Sequence, residues 1–87
     1  MERIDRIRTL LEQHFEPVQI ELEDQSHLHA GHAGARDGKG HFKVVITAEA
    51  FRGKSMLQQH RLVYTALSEM LETDIHALII EAHSPAE

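Results

Sequence analysis

The sequence predicts an α+β fold in which a three-stranded mixed sheet carries helices packed on one face. Three observations lead there. Apolar residues recur at helical spacing near the N-terminus, two strand-like runs flank a long loop, and a helical segment separates the second run from a third. Strands joined directly pair antiparallel, whereas an intervening helix permits a parallel crossover, so the sheet mixes both kinds of pairing.

The first element covers Glu2 to His14, where Ile4, Ile7, Leu10 and Leu11 form one stripe among charged residues. Pro17 bars its continuation. Val18, Ile20 and Leu22 then alternate with Gln19, Glu21 and Glu23, the period-2 signature of a strand with one wet face. The run His41 to Ala48 is rich in β-branched residues and sets Phe42, Val44 and Ile46 on one face. Ser55, with Gln58 three residues on, has the form of a capping box. The helical segment from there to Leu71 offers Leu57, Val63, Tyr64, Leu67, Met70 and Leu71 as its core face. Ile75 to Ala82 reads as the last strand, and its apolar residues on both faces suggest burial on both sides or a central place in the sheet.

An 87-residue chain with 41% apolar residues supports a single domain over 1–87 with one small core. A net charge of −5 works against phosphate backbones and anionic membranes unless basic residues cluster locally. No apolar run approaches the roughly 18 residues of a membrane span, and the N-terminus lacks the apolar segment of a secretory signal. Together with the absence of cysteine, this favours a soluble, cytoplasmic protein. The most informative segment is Gln25 to Gly40, which holds His27, His29 and His32 among small and glycine residues. Loops longer than about 12 to 15 residues are uncommon in small domains and are often functional or disordered. Histidine is the commonest metal-ligating side chain, so this loop is a candidate for metal capture.

The stretches SHLHAGHAGARDGKGHFKVVI, FRGKSMLQQHRLVYTALSEM and IHALIIEAHSP closely resemble the BolA family, in the right order and over nearly the whole chain. That family is similar in fold to the class II KH domain, which implies the order αββααβ. Its members are known as partners of monothiol glutaredoxins, with which they share a [2Fe-2S] cluster, and as regulators proposed to bind DNA in some bacteria. The resemblance implies that the histidine of the I-H-A motif, His76, is a cluster ligand. On strict alternation His76 would share a face with Leu78 and Ile80, where a histidine also serves as a packing residue. The family's second ligand comes from the loop, as histidine in one subgroup and cysteine in another. Without cysteine this chain falls in the histidine subgroup, and aligning the loop's ends favours His29, with His32 second.

A [2Fe-2S] cluster takes four ligands, usually thiolates. This chain can supply only imidazoles, so the resemblance implies a heterodimer in which a glutaredoxin cysteine and glutathione complete the set; no cofactor is expected on the isolated chain, a monomer or weak homodimer. The segment from Gly53 to Arg61 is the family's other signature, and Lys54, His60 and Arg61 are its candidate partner contacts. DNA binding by the 55–71 region is the alternative, with Arg52 added to that patch. A G-x-x-G at Gly31 to Gly34 lies between strands, whereas the KH clamp joins two helices, so it is read as coincidence. A zinc site of His29 and His32 with His27 or His41 is a third reading. No nucleophile is paired with a base, and no catalytic activity is expected. Many family members continue past the serine-proline step into a terminal helix; here the sequence ends at Ser84-Pro85-Ala86-Glu87, and interactions housed in such a tail are expected to be missing.

Overall fold

The computed structural model describes residues 2–26 and 39–86. His27, His29, His32 and the Gly31–Gly34 motif lie outside the described residues. The element order is α1 (Arg3–Phe15), β1 (Gln19–Asp24), β2 (Gly40–Thr47), a 3-10 turn (Glu49–Phe51), α2 (Met56–Ala66), α3 (Ser68–Thr73) and β3 (Ile75–His83).

Helix α1 buries Ile7 and Leu11 and half-buries Ile4 and Leu10, as its stripe requires. It stops at Glu16, which adopts a left-handed conformation (φ 46°) while its N–H donates to the Glu12 carbonyl. A side chain in that region costs about 1 kcal/mol, and Pro17 prevents the alternative of another helical turn. β1 pairs antiparallel with β2 from Gln19–Thr47 to Asp24–Phe42, and β2 pairs parallel with β3. The sheet is therefore mixed, in the order β1-β2-β3.

Phe42, Val44 and Ile46 of β2 meet Ile7, Leu11, Phe51, Val63, Leu67 and Met70 in one buried cluster. The opposite face of β2, with Lys43, Val45 and Thr47, is only partly covered. The helices thus occupy one side of the sheet. Ser55 closes the capping box: its hydroxyl accepts from the Gln58 N–H at 3.2 Å, and Gln58 Oε1 accepts from the Ser55 N–H at 2.9 Å.

Three expectations change. β3 is an edge strand and β2 is central. The helical segment breaks at Leu67 (φ −104°, ψ 13°), separating α2 from α3, so one stripe cannot serve both; Leu57 and Tyr64 are exposed (59% and 41%) while Val63, Ala66, Leu67 and Met70 are buried. Val18 precedes β1 and is 71% exposed, although its N–H donates to the Thr47 carbonyl.

Candidate functional site

The register between β2 and β3 slips at one point: Gly40 pairs with Ile75, but His41 pairs with Ala77. His76 is the extra residue of this β-bulge, a device that locally redirects side chains. Beyond it the alternation is reset, which is how Ile75 and Ile80, five positions apart, both reach the core. His76 is exposed and does not share the buried face of Leu78 and Ile80. Strict alternation misplaces it because a bulge is invisible to a period-2 reading.

Against His76 lies His41, ring centroid to ring centroid 5.1 Å with the planes tilted by 48°. His41 is 8% exposed and is the only buried polar or charged side chain among the described residues. Its backbone also gathers the loop: the His41 N–H donates to Ser26 Oγ at 3.0 Å, and its carbonyl accepts from the Gln25 N–H at 2.7 Å. Ser26 is fixed in turn by its N–H donating to Asp24 Oδ1 at 2.9 Å. On the exit side the Gly40 N–H donates to the Asp74 carbonyl at 2.8 Å. Both roots of the histidine-bearing loop therefore converge beside His76.

The second signature segment forms a separate surface. Lys54 and Arg61 line an open concavity of about 460 Å³ with Gly53, Gln58 and Leu62, and neither forms a salt bridge among the described residues. His60 faces another side, lining a smaller concavity with Met56, Gln59 and residues of β3. Arg52 is already engaged: its Nε and Nη2 donate to the Glu49 carboxylate at 2.6 and 3.1 Å, and Nη2 also donates to the Pro85 carbonyl at 2.8 Å. The paired guanidinium holds the Glu49 carboxyl below its ordinary range, and Glu49 raises the Arg52 value further. Arg52 thus acts as a tie to the C-terminal segment within this chain.

A family model described as BolA-like protein matches residues 11–87. The chain belongs to the BolA-like family. Its BolA-like sequence is 47% identical over 87 residues to SufE-like protein 1, chloroplastic/mitochondrial, of Arabidopsis thaliana, covering 94% of this chain and 24% of that relative. The chain thus spans about a quarter of that relative's length. It is 37% identical over 83 residues to the DNA-binding transcriptional regulator BolA of Escherichia coli, covering 95% of this chain and 76% of the relative. The solved BolA domain of SufE1 from Arabidopsis thaliana superposes with a TM-score of 0.86 at 42% identity, over 98% of this chain and 94% of the domain.

Among the expected ligands, His76 stands exposed at the bulge, while His29 and His32 fall outside the described residues. Sequence reasoning placed His41 at the loop's exit, as an optional member of a loop zinc site, and did not pair it with His76. The signal that could have singled it out is an imidazole opening the otherwise apolar pattern of Phe42, Val44 and Ile46.

Proposed function

We propose that this BolA-like protein partners a monothiol glutaredoxin and shares a [2Fe-2S] cluster with it through histidine ligands, in cluster trafficking or iron and redox regulation. The observation that carries this reading is the exposed His76 on a bulge where both loop roots meet. His29 follows Ser26 by three residues, and three residues of chain reach at most roughly 11 Å. A histidine this near the loop's root is the candidate second ligand, with His29 the first choice and His32 the second. With no cysteine, this chain supplies no thiolate, which fits a shared site and not a self-sufficient one. Such a cluster supplies one-electron redox chemistry, and imidazole ligation raises its potential relative to an all-thiolate site. The role is binding and transfer, without catalysis by this chain. A compartment that supplies glutathione meets the requirement, the cytoplasm among them; no helix of the described residues is long and apolar enough to cross a membrane.

The test mixes the protein with a cluster-loaded monothiol glutaredoxin and glutathione and records visible absorption and circular dichroism. Wild type should change the cluster spectrum, His76→Ala should not, and His29→Ala against His32→Ala identifies the loop ligand. Unaltered spectra and no complex with wild type would sink the cluster role.

A second reading, DNA-dependent regulation, is favoured by the relative in Escherichia coli and by the Lys54–Arg61 surface. Retention on duplex DNA that weakens with salt and with Lys54→Ala supports it; indifference to both removes it.

A further inference from the structure

We propose that β3 is an association edge for a second copy of this chain, pairing antiparallel with its own counterpart so that two three-stranded sheets join into one of six strands. An edge strand presents unpaired backbone groups, and proteins usually blunt such edges with charge, proline or a covering segment. The two edges of this sheet differ in that respect. β1 carries Glu21, Glu23 and Asp24, and pairing two copies of it about its middle sets glutamate against glutamate. β3 runs through Ala77, Leu78, Ile79 and Ile80 before its single carboxylate, Glu81, and Ile79 is 51% exposed.

The backbone of β3 is set for this pairing. The His83 carbonyl accepts from the Ala48 N–H at 2.9 Å, so alternate residues back from it, Glu81, Ile79 and Ala77, turn their N–H and C=O groups toward β2. Leu78, Ile80 and Ala82 turn theirs outward, where no further strand among the described residues meets them. A two-fold axis through Ile79 makes Leu78 and Ile80 of the second copy a hydrogen-bonded pair. It sets Ile79 against its counterpart in a non-hydrogen-bonded pair, with Cα atoms about 4.5 Å apart, and places Glu81 opposite Ala77. No like charges face each other in this register, and each exposed isoleucine is covered by the other. Glu81 keeps its ion pair with Lys43, at 3.5 Å in the neighbouring strand. An axis through Ile80 instead sets Ile79 against Glu81, and one through Glu81 opposes two carboxylates, so the sequence favours a single register.

With the axis perpendicular to the sheet, both copies carry their helices on the same side of it, as an isologous contact requires. Met56, 72% exposed, lines a concavity over β3 with Gln59, His60, Ile80 and Ala82. Ile80 lies opposite Leu78 of the second copy, so Met56 is positioned to cover that contact. The inference is independent of the cluster reading. Where both hold, Ala82 of the second copy lies opposite His76, so strand pairing and a partner at the bulge compete for one edge.

The experiment uses the full chain, which has no cysteine of its own to interfere with cross-linking. Sedimentation velocity from micromolar to millimolar chain should show a reversible monomer-dimer equilibrium. Ile79→Lys should raise its dissociation constant by about tenfold or more while leaving the far-ultraviolet circular dichroism unchanged. Ile79→Cys, with oxidised glutathione as oxidant, should yield a covalent dimer, because a non-hydrogen-bonded antiparallel pair has the Cα separation that a disulfide needs. Val18→Cys, at a position that is also exposed but lies ahead of the charged edge, should not. A chain that stays monomeric at millimolar concentration, a dimer indifferent to Ile79→Lys, or cross-linking no faster in Ile79→Cys than in Val18→Cys overturns the strand pairing.

Discussion

Asp74 accepts a hydrogen bond from the Arg3 guanidinium, Nε to Oδ1 at 3.1 Å, and so ties the first helix to the residue just ahead of β3. Arg6 approaches the other carboxylate oxygen at 3.3 Å, and Thr73 Oγ1 donates to it at 2.7 Å. The Thr73 hydroxyl first, then Arg3, holds the Asp74 carboxyl below its ordinary range. A carboxyl depressed in the folded state stabilises it above the unfolded-state pKa, about 3.9, and that contribution is lost as pH falls through the folded value. Asp74→Asn should therefore cost about 1 kcal/mol near neutrality, the scale of partly exposed ion pairs. In thermal melts from pH 7 to pH 2, the gap between wild type and variant should begin to narrow at about pH 4 and close as pH falls through the folded value.

Gly40 packs so closely that a Cβ there would lie 2.6 Å from the Phe42 ring and 2.9 Å from Ser26 Oγ. The ring belongs to the core and the hydroxyl receives the His41 N–H, so neither yields freely. Gly40→Ala should destabilise by about 1–3 kcal/mol, as overpacking does. Urea denaturation measures the cost, and amide exchange at His41 should rise more than at Val44.

The Ser55–Gln58 capping box satisfies two donors at the start of α2. Ser55→Ala should cost about 1 kcal/mol by urea denaturation, with Ser55→Asp largely restoring it. Partner binding that depends on the Lys54–Arg61 surface should weaken by less than the unfolding equilibrium changes, because the cap orients the helix without contributing to the surface itself.

Lys54→Ala combined with Arg61→Ala separates the two functional readings. For the glutaredoxin partnership, calorimetry should show weaker association, about threefold to thirtyfold, while the spectrum of the complex that does form stays unchanged. For DNA binding, retention on duplex should fall and the salt slope should decrease by about one to two, roughly one for each phosphate that is no longer neutralised.

Much of the fold was legible because one-sided burial writes itself into spacing. Ile7 and Leu11 on α1, and Phe42, Val44 and Ile46 on β2, are buried where periodicity puts them. The misplacements share a cause: a local break in the period. The turn at Leu67 divides a helical pattern that reads as continuous, which is why Leu57 and Tyr64 read as members of the same stripe as Met70. The bulge gives β3 apolar residues on both faces, and this mimics a buried central strand. At the site, the His76 motif was visible, whereas the contribution of His41 depends on a pairing between strands distant in sequence. Arg52 looked like a patch residue because neither its bidentate grip on Glu49 nor its reach to Pro85 follows from composition.

Since His76 is supernumerary to the ladder, it fills no core volume and completes no alternation. Substitutions at exposed positions usually change stability by no more than about 0.5 kcal/mol, so the fold places almost no demand on which side chain stands there. The position is thus free of the architectural selection that governs Ile75 and Ile80 on either side of it. Apart from its ring contact with His41, an imidazole at this place is not required by the core, and a new reactive group could be installed there without redesigning the scaffold.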